Sequence, residues 1–205
     1  MISILDYGVG NVQALLNIYK RLNIPAHRAH TAEDVAEAER IILPGVGSFD
    51  WAMARLNNSG MRAALDDVVL KKSRPVLGIC VGMQMLARRS EEGSLEGLKW
   101  LDAEVKKLNV AGSASRRACL PHMGWNDVEP CSEECLFRNI GGSGRFYFLH
   151  SYYFAPKESK TILARTDYGG VFASGVRAGN IYGVQFHPEK SHHWGIQLLK
   201  NFAEL

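Results

Sequence analysis

One cysteine stands where a thiol could act as a nucleophile. Cys80 follows the apolar run 75–79 and lies between Gly78 and Gly82. The two glycines allow a tight strand-to-helix turn that lifts the sulfur clear of a sheet. The helix N-terminus behind the turn favours thiolate over thiol, and the backbone N–H of Val81 points where an oxyanion would form. The pattern predicts a nucleophile elbow; the alternative is a small buried cysteine between packing glycines.

A cysteine nucleophile needs a base, and His187 is the best placed of the seven histidines. It directly follows the predicted strand 181–186 and precedes Pro188 and Glu189. Because proline stiffens this turn, the imidazole and the carboxylate can project from one strand end to the same side. Sites in parallel α/β sheets gather beyond the carboxyl ends of strands, where Cys80 and His187 both fall. The sequence therefore predicts a triad of Cys80, His187 and Glu189.

The loop 44–48 is a further candidate part of this site, because it follows the predicted strand 40–43 and contains Gly45 and Gly47. Glycines let a backbone N–H swing toward a ligand, so this loop can supply a second oxyanion donor. Without the cysteine, a simple strand-to-helix turn would be the interpretation.

Neither a nucleotide site nor a metal site is predicted. Gly8 and Gly10 begin like a dinucleotide fingerprint, but Gln13 stands where the third glycine belongs. The other cysteines and a nearby histidine lack zinc-site spacing: Cys119, Cys131, Cys135 and His122. His122 and His150 can each be satisfied structural histidines. We therefore expect no cofactor and no metal.

The apolar pattern predicts an α/β fold. Short apolar runs alternate with segments of helical period, which is typical of a mostly parallel sheet. Strands are predicted at 2–6, 26–30, 40–43, 75–79, 103–108, 145–154, 161–166, 171–177 and 181–186. Helices are predicted near 12–22, 32–38, 49–56, 61–70, 81–89 and 195–203, with an exposed loop at 110–117. We expect one domain over 1–205: a central, mostly parallel sheet flanked by helices, with a strand-rich second half completing the same sheet.

Charge and composition exclude several classes of protein. The 205 residues include 24 basic and 21 acidic ones, a net charge of +3, with no basic stripe of the kind that binds nucleic acid. No apolar run approaches the roughly 18 residues that a spanning helix needs. Four cysteines are too few for a disulfide scaffold. We therefore expect a cytoplasmic protein that binds neither nucleic acid nor membrane.

Taken together, the motifs resemble those of class I (triad-type) glutamine amidotransferases, whose fold is flavodoxin-like. The motifs follow in order as 6–11 (DYGVGN), 43–49 (LPGVGSF), 78–84 (GICVGMQ), 121–126 (PHMGWN), 147–153 (YFLHSYY) and 183–191 (GVQFHPEKS). The cysteine and histidine motifs are shared across this family. The stretches at 121–126 and 150–153 narrow the resemblance to glutaminase subunits that supply ammonia to a cyclase making imidazole glycerol phosphate in histidine biosynthesis.

The resemblance implies a mechanism and a substrate, L-glutamine. Cys80 attacks the side-chain amide, His187 activates the thiol and then protonates the leaving ammonia, and Glu189 orients the imidazole. Val81 and Gly47 belong to the oxyanion hole. The glutamine-binding residues implied by the family pattern are Gln84, Glu92, Ser151 and Tyr152.

The same resemblance implies a partner. Ammonia would pass to a (β/α)₈-barrel cyclase subunit, in a heterodimer that makes imidazole glycerol phosphate and aminoimidazole carboxamide ribotide. Three residues match family positions at that contact: Asn11, Trp125 and Lys190. Family members are poor glutaminases until the liganded partner binds, which suggests that the oxyanion loop is a switch.

Three alternatives remain open. A paralogous glutaminase would serve a different synthase, such as a sugar amidotransferase of surface polysaccharide synthesis. A stand-alone cysteine hydrolase would be fully active without a partner. A non-catalytic binding module would keep the fold and tolerate Cys80→Ser.

Overall fold

The fold was taken from a computed structural model, which describes residues 1–110, 119–131, 135–142 and 144–205. Apart from its first residue, the expected loop at 110–117 lies outside these ranges. Within them, none of the helices combines the length and the apolar character that crossing a membrane requires.

Strands contain more of the described residues than α-helices do. Their bounds are β1 Ile2–Leu5, β2 Ala26–Ala29, β3 Arg40–Gly45, β4 Val76–Cys80, β5 Arg89–Ser90, β6 Ala103–Lys107, β7 His122–Pro130, β8 Gly144–His150, β9 Tyr152–Pro156, β10 Ile162–Asp167, β11 Val171–Ala178 and β12 Ile181–Val184. The α-helices are α1 Val12–Arg21, α2 Ala32–Ala36, α3 Phe49–Asn58, α4 Arg62–Asp66, α5 Val81–Gln84 and α6 His192–Ala203. A π-helical turn, Asp67–Lys71, continues α4, and a short 3₁₀ turn, Pro188–Lys190, precedes α6.

A nine-stranded sheet runs through the molecule in the order β2-β1-β3-β4-β12-β11-β10-β7-β8. The strands from β2 to β12 in this order pair in parallel, whereas those from β12 to β8 pair antiparallel. Every residue of β1, β4 and β12 is buried, as expected for strands covered on both faces. The sheet is therefore the core of an α/β fold.

Helices cover this sheet through apolar stripes. The helix α1 begins at Asn11, whose side chain accepts a hydrogen bond from the Ala14 N–H, and α2 begins with a capping box at Thr31. The buried Tyr19 of α1 donates from its hydroxyl to the Leu199 carbonyl of α6 at 3.1 Å.

The second half does not complete a single sheet. A separate three-stranded sheet has the order β5-β6-β9. The strand expected at 145–154 is two strands, β8 in the large sheet and β9 in the small one, and the chain changes sheets at Ser151. The prediction also missed β7, because its polar and glycine residues do not form an apolar run.

The helix after Cys80 is four residues long, not the nine expected at 81–89. The chain leaves it through two 3₁₀-type bonds, from Leu86 N–H and Ala87 N–H. The Arg88 N–H then donates to the Ala103 carbonyl at 2.9 Å, which joins the segment to the small sheet. The segment after α5 therefore pairs with β6 instead of continuing the helix that its apolar spacing predicts.

The strand β3 was expected to stop before Pro44, but it runs to Gly45. Pairing with β1 ends at Ile42, whereas pairing with β4 continues to Gly45, opposite Cys80. Proline has no N–H to donate. At Pro44 the missing N–H would point toward β1, which no longer pairs at this position, so no hydrogen bond of the sheet is lost. The glycine loop is thereby brought beside the cysteine.

Candidate active site

Cys80 occupies a strained turn at the carboxyl end of β4. Its backbone has φ 55° and ψ −113°, a left-handed conformation that costs a non-glycine residue about 1–3 kcal/mol. The side chain is nearly buried, and α5 begins at the next residue, Val81. As the first helical residue, Val81 has an N–H with no acceptor inside the helix. Strain held by the surrounding fold is typical of functional residues.

Three glycines make this turn sterically possible. A Cβ on Gly82 would collide with the Leu43 carbonyl oxygen, and one on Gly45 would collide with the Gly82 nitrogen. A Cβ on Gly78 would meet the Gly82 carbonyl oxygen at 2.6 Å. The end of β3, the strand β4 and the helix α5 therefore pack backbone against backbone around Cys80.

His187 reaches the same place through the neighbouring strand. The parallel register sets Val184 of β12 opposite Ile79 of β4, so the chain beyond β12 runs past Cys80. The His187 N–H donates to the Tyr147 carbonyl at 2.8 Å, which ties this segment to β8. The Ser191 hydroxyl donates to the His187 carbonyl at 2.6 Å. The backbone of the histidine is thus held from two sides.

The imidazole of His187 pairs with Glu189. The Nδ1 atom lies 2.8 Å from Oε1 of the carboxylate, and the two side chains are only 4% and 5% exposed. Burial lowers the pKa of His187, but the facing Cys80 and the carboxylate outweigh it and together raise this pKa to about 10. The second oxygen of Glu189, Oε2, is buried and has no hydrogen-bond partner within the described residues. The arrangement favours an imidazolium next to the sulfur.

A cavity of about 360 Å³ opens over the sulfur. Most of the residues singled out from the sequence line it: Cys80, His187, Val81, Gly47, Glu92, Ser151, Tyr152 and Lys190. Gly47 has φ +83°, which a side chain would strain, and it lines the cavity as Val81 does. A volume of this size is at the lower end of the roughly 300–1,000 Å³ of small-molecule sites.

Two of the candidate glutamine-binding residues also hold the fold together. The Oε2 atom of Glu92 accepts from the Phe49 N–H at 2.8 Å and so caps α3. Gln84 is 2% exposed and lies behind the cavity wall. Its amide nitrogen donates to the Tyr152 carbonyl at 2.9 Å and to Oε1 of Gln185 at 3.1 Å.

The three candidate partner-contact residues lie in different settings. Trp125 is 37% exposed on β7, and its ring stacks on His192 with 5.2 Å between centroids. The Lys190 ammonium lies 5.6 Å from the Tyr147 ring centroid, at the cavity wall. Asn11 is exposed at the start of α1, where its side chain is engaged as the helix cap.

Sequence reasoning missed Gln185. This side chain is fully buried, and its amide nitrogen lies 3.8 Å from the Cys80 sulfur. The signal was the position of Gln185 at the carboxyl end of the predicted strand 181–186, two residues before His187. His122 and His150, interpreted as satisfied structural histidines, are indeed buried and hydrogen-bonded to each other at 3.0 Å.

The described residues contain no group of three or more His, Cys, Asp or Glu side chains arranged to hold a metal ion. What they bring together is a thiol, an imidazole and a carboxylate at the carboxyl edge of a sheet. That set can perform acyl transfer through a covalent thioester.

Comparison with known proteins agrees with this chemistry. The family model described as Glutamine amidotransferase class-I matches residues 3–205. The chain therefore belongs to the class-I glutamine amidotransferases, and the family indicated by the motifs is confirmed.

Individual relatives narrow this further. The Imidazole glycerol phosphate synthase subunit HisH of Bdellovibrio bacteriovorus is 54% identical over 206 residues, which cover 100% of both chains. The protein of the same name from Leptospira borgpetersenii is 49% identical over 205 residues, again 100% of both chains. Among solved structures, that of a glutamine amidotransferase is similar with a TM-score of 0.73 and 22% identity, covering 100% of this chain and 99% of that one. This last likeness shows the shared α/β fold.

Proposed function

We propose that this protein is the glutaminase subunit of an imidazole glycerol phosphate synthase. It hydrolyses L-glutamine to glutamate and delivers the ammonia to a cyclase subunit in histidine biosynthesis. The observation that carries the proposal is the full-length identity of 54% to a HisH subunit, joined to a Cys80 turn that faces a His187–Glu189 pair.

The chemistry runs on three side chains. The Cys80 thiolate attacks the side-chain amide carbon of glutamine, and the carbonyl oxygen becomes an oxyanion beside the backbone N–H groups of Val81 and Gly47. His187 gives its proton to the leaving nitrogen, so ammonia departs and a glutamyl thioester remains. Glu189 keeps Nδ1 protonated and stabilises the imidazolium. His187 then takes a proton from water, which hydrolyses the thioester.

The substrate's amino-acid end is assigned to the cavity walls. Glu92 can accept from the ammonium of glutamine, while Ser151 and Tyr152 offer backbone and hydroxyl groups at the junction of β8 and β9. Gln84 acts from behind this wall by holding the Tyr152 carbonyl. All four residues keep the glutamine-binding assignment, with Gln84 in an indirect role.

A partner surface is assigned to the mouth of the cavity. Large apolar side chains are exposed on the segments that surround it: Val46, Met123, Trp125 and Leu149. Exposed apolar surface of this kind is typical of protein interfaces. Together with Asn11 and Lys190, it is the proposed contact with a (β/α)₈-barrel cyclase in a cytoplasmic heterodimer.

The test of the pathway is glutamate release from glutamine, with and without the histidine-pathway cyclase carrying its ribotide ligand. We expect strong stimulation by the liganded cyclase and none by the unliganded barrel of an unrelated enzyme. Full activity without any partner would favour a stand-alone hydrolase. Slow glutamine hydrolysis that the cyclase leaves unchanged would indicate that the protein supplies ammonia to a different synthase.

A further inference from the structure

A buried chain of hydrogen bonds leads away from the sulfur of Cys80. The Gln185 amide nitrogen lies 3.8 Å from Sγ, and its Oε1 accepts from Gln84 at 3.1 Å. The same Gln84 nitrogen donates to the Tyr152 carbonyl at 2.9 Å. Since a backbone carbonyl can only accept, the Gln84 amide hydrogens must face it. Its second hydrogen then faces Oε1 of Gln185, which leaves the Gln185 hydrogens for the sulfur.

The Tyr152 carbonyl also accepts a second side-chain hydrogen bond. Nδ1 of His150 donates to it at 2.8 Å, so in the neutral ring Nε2 is an acceptor. His122 therefore donates from its Nδ1 to that Nε2 at 3.0 Å, and its own Nε2 faces the Asn126 amide nitrogen at 3.3 Å. The same Asn126 nitrogen donates to the Asp167 carbonyl at 3.0 Å. The Tyr152 carbonyl at one end and the Asp167 carbonyl at the other therefore fix which ring nitrogen carries the proton in His150 and in His122.

The surroundings keep both histidines neutral. The His122 ring is stacked between Phe148 and Tyr168, with centroids 4.6 and 3.8 Å away. Burial lowers the pKa of His122 to about 4. Burial lowers the pKa of His150 to about 3; the bond to Tyr152 opposes this shift, while the positive charges of His122 and His187 add to it. At neutral pH each ring therefore serves as one donor and one acceptor.

We propose that Gln185 stabilises the Cys80 thiolate by donating to its sulfur, in addition to the imidazolium of the triad. His122 and His150 are positioning residues, because they hold the Tyr152 carbonyl that orients the two glutamine amides. This inference rests on the proposed function only in taking Cys80 as the nucleophile. An apolar side chain at Gln185 would leave the thiolate with one donor fewer.

The experiment follows the reactivity of the sulfur itself. The rate at which iodoacetamide alkylates Cys80 is measured against pH in the intact, unliganded chain, from the mass of the peptide that contains Cys80. Neither glutamine nor a partner is needed. In Gln185→Met, which keeps the side-chain length but has no N–H, we expect the midpoint of the profile to rise by about one pH unit. That shift is a tenfold loss of thiolate on the acid side of the profile, or ~1.4 kcal/mol.

The positioning role is tested with a pair of variants. Asparagine at His150 keeps an N–H near the position of Nδ1, whereas leucine does not. We expect His150→Leu to shift the alkylation profile in the same direction as Gln185→Met, and His150→Asn to restore much of the shift. Tyr168→Phe is the matched control: it keeps the ring stacked on His122 and removes only the hydroxyl that donates to the Cys119 carbonyl, so the profile stays at the wild-type midpoint.

Two results would overturn the inference. A wild-type midpoint in folded Gln185→Met would show that the amide does not stabilise the thiolate. Equal midpoints of the alkylation profile in folded His150→Leu and His150→Asn would show that the histidines contribute packing and do not position the glutamine amides. If the expected shifts occur but no partner elicits glutamate release, the hydrogen-bond chain stands and the proposed function fails.

Discussion

The pairing of His187 with Glu189 makes the sharpest prediction. Replacing Glu189 by glutamine keeps the shape of the side chain and removes its charge. The bond it alters is 2.8 Å long and both side chains are almost fully buried, so water screens it little. A hydrogen bond to a charged group is worth about 1.5–3 kcal/mol, which corresponds to about a 10- to 150-fold loss of kcat. Glu189 does not line the cavity, so KM for glutamine should change little.

The pH profile supplies a second readout of the same variant. Cys80 and Glu189 raise the pKa of His187 to about 10 against the opposing effect of burial, so the wild-type imidazolium is lost only as the pH rises through that value. In Glu189→Gln the support of the carboxylate is gone, and the alkaline limb of kcat/KM should move to lower pH. Steady-state glutamate release between pH 6 and 11, in complex with the liganded cyclase, measures both effects.

The control for this variant is Glu104→Gln. Glu104 pairs with Arg89 on the surface, with side chains 41% and 73% exposed, and such a pair contributes about 0–1 kcal/mol. We expect its kcat and pH profile to match the wild type. A Glu189→Gln variant that keeps kcat within about threefold and leaves the alkaline limb in place would refute the reasoning, since 1.5 kcal/mol corresponds to more than tenfold.

Three further predictions concern the turn, the cavity and the partner surface. Gly82→Ala forces a Cβ onto the Leu43 carbonyl oxygen and should lower the free energy of unfolding, measured in urea, by about 3 kcal/mol or more. The control Gly60→Ala meets no neighbour and adds only left-handed backbone strain, so it should cost about 1–2 kcal/mol. Equal losses of stability in the two variants would argue against close backbone packing at Gly82. Glu92→Gln should raise KM for glutamine at least tenfold with a smaller change in kcat, because a charged hydrogen bond to the substrate ammonium is lost. An unchanged KM would show that Glu92 does not bind glutamine. Trp125→Ala should weaken cyclase binding, measured by calorimetry, about 30-fold, as expected for an aromatic anchor that contributes about 2 kcal/mol. Leu70→Ala removes a 53% exposed apolar side chain and serves as the control that should bind the cyclase normally. Similar cyclase affinities of the two variants would exclude β7 from the interface.

Much of the first half was predictable because it follows local rules. The strand β4 is an uninterrupted apolar run and β1 is interrupted only by Ser3, while α1 starts at a capping asparagine with an apolar stripe behind it. The placement of His187 near Cys80 followed from strand ends in a parallel sheet. The apolar runs and the cap lie within a few residues of the elements that they predict, and the strand-end rule needs no further information about distant pairing.

The parts that could not be predicted depend on pairing between distant segments. The helix after Cys80 ends early because Arg88 bonds to Ala103 in another sheet. The chain from β8 to β9 looked like one strand because the change of sheet at Ser151 leaves no trace in apolar periodicity. The role of Gln185 depends on its contact with Gln84, 101 residues away. No spacing within the sequence reports such a contact.

The central claim is that Cys80 carries the glutamyl group during turnover. The most direct measurement quenches the enzyme in acid while it turns over glutamine in complex with the liganded cyclase, and then determines the mass of the peptide that contains Cys80. We expect a glutamyl adduct on that peptide, absent when glutamine is omitted, and glutamate release by Cys80→Ala no faster than the blank. Glutamate release by folded Cys80→Ala at a rate near that of the wild type would contradict the claim.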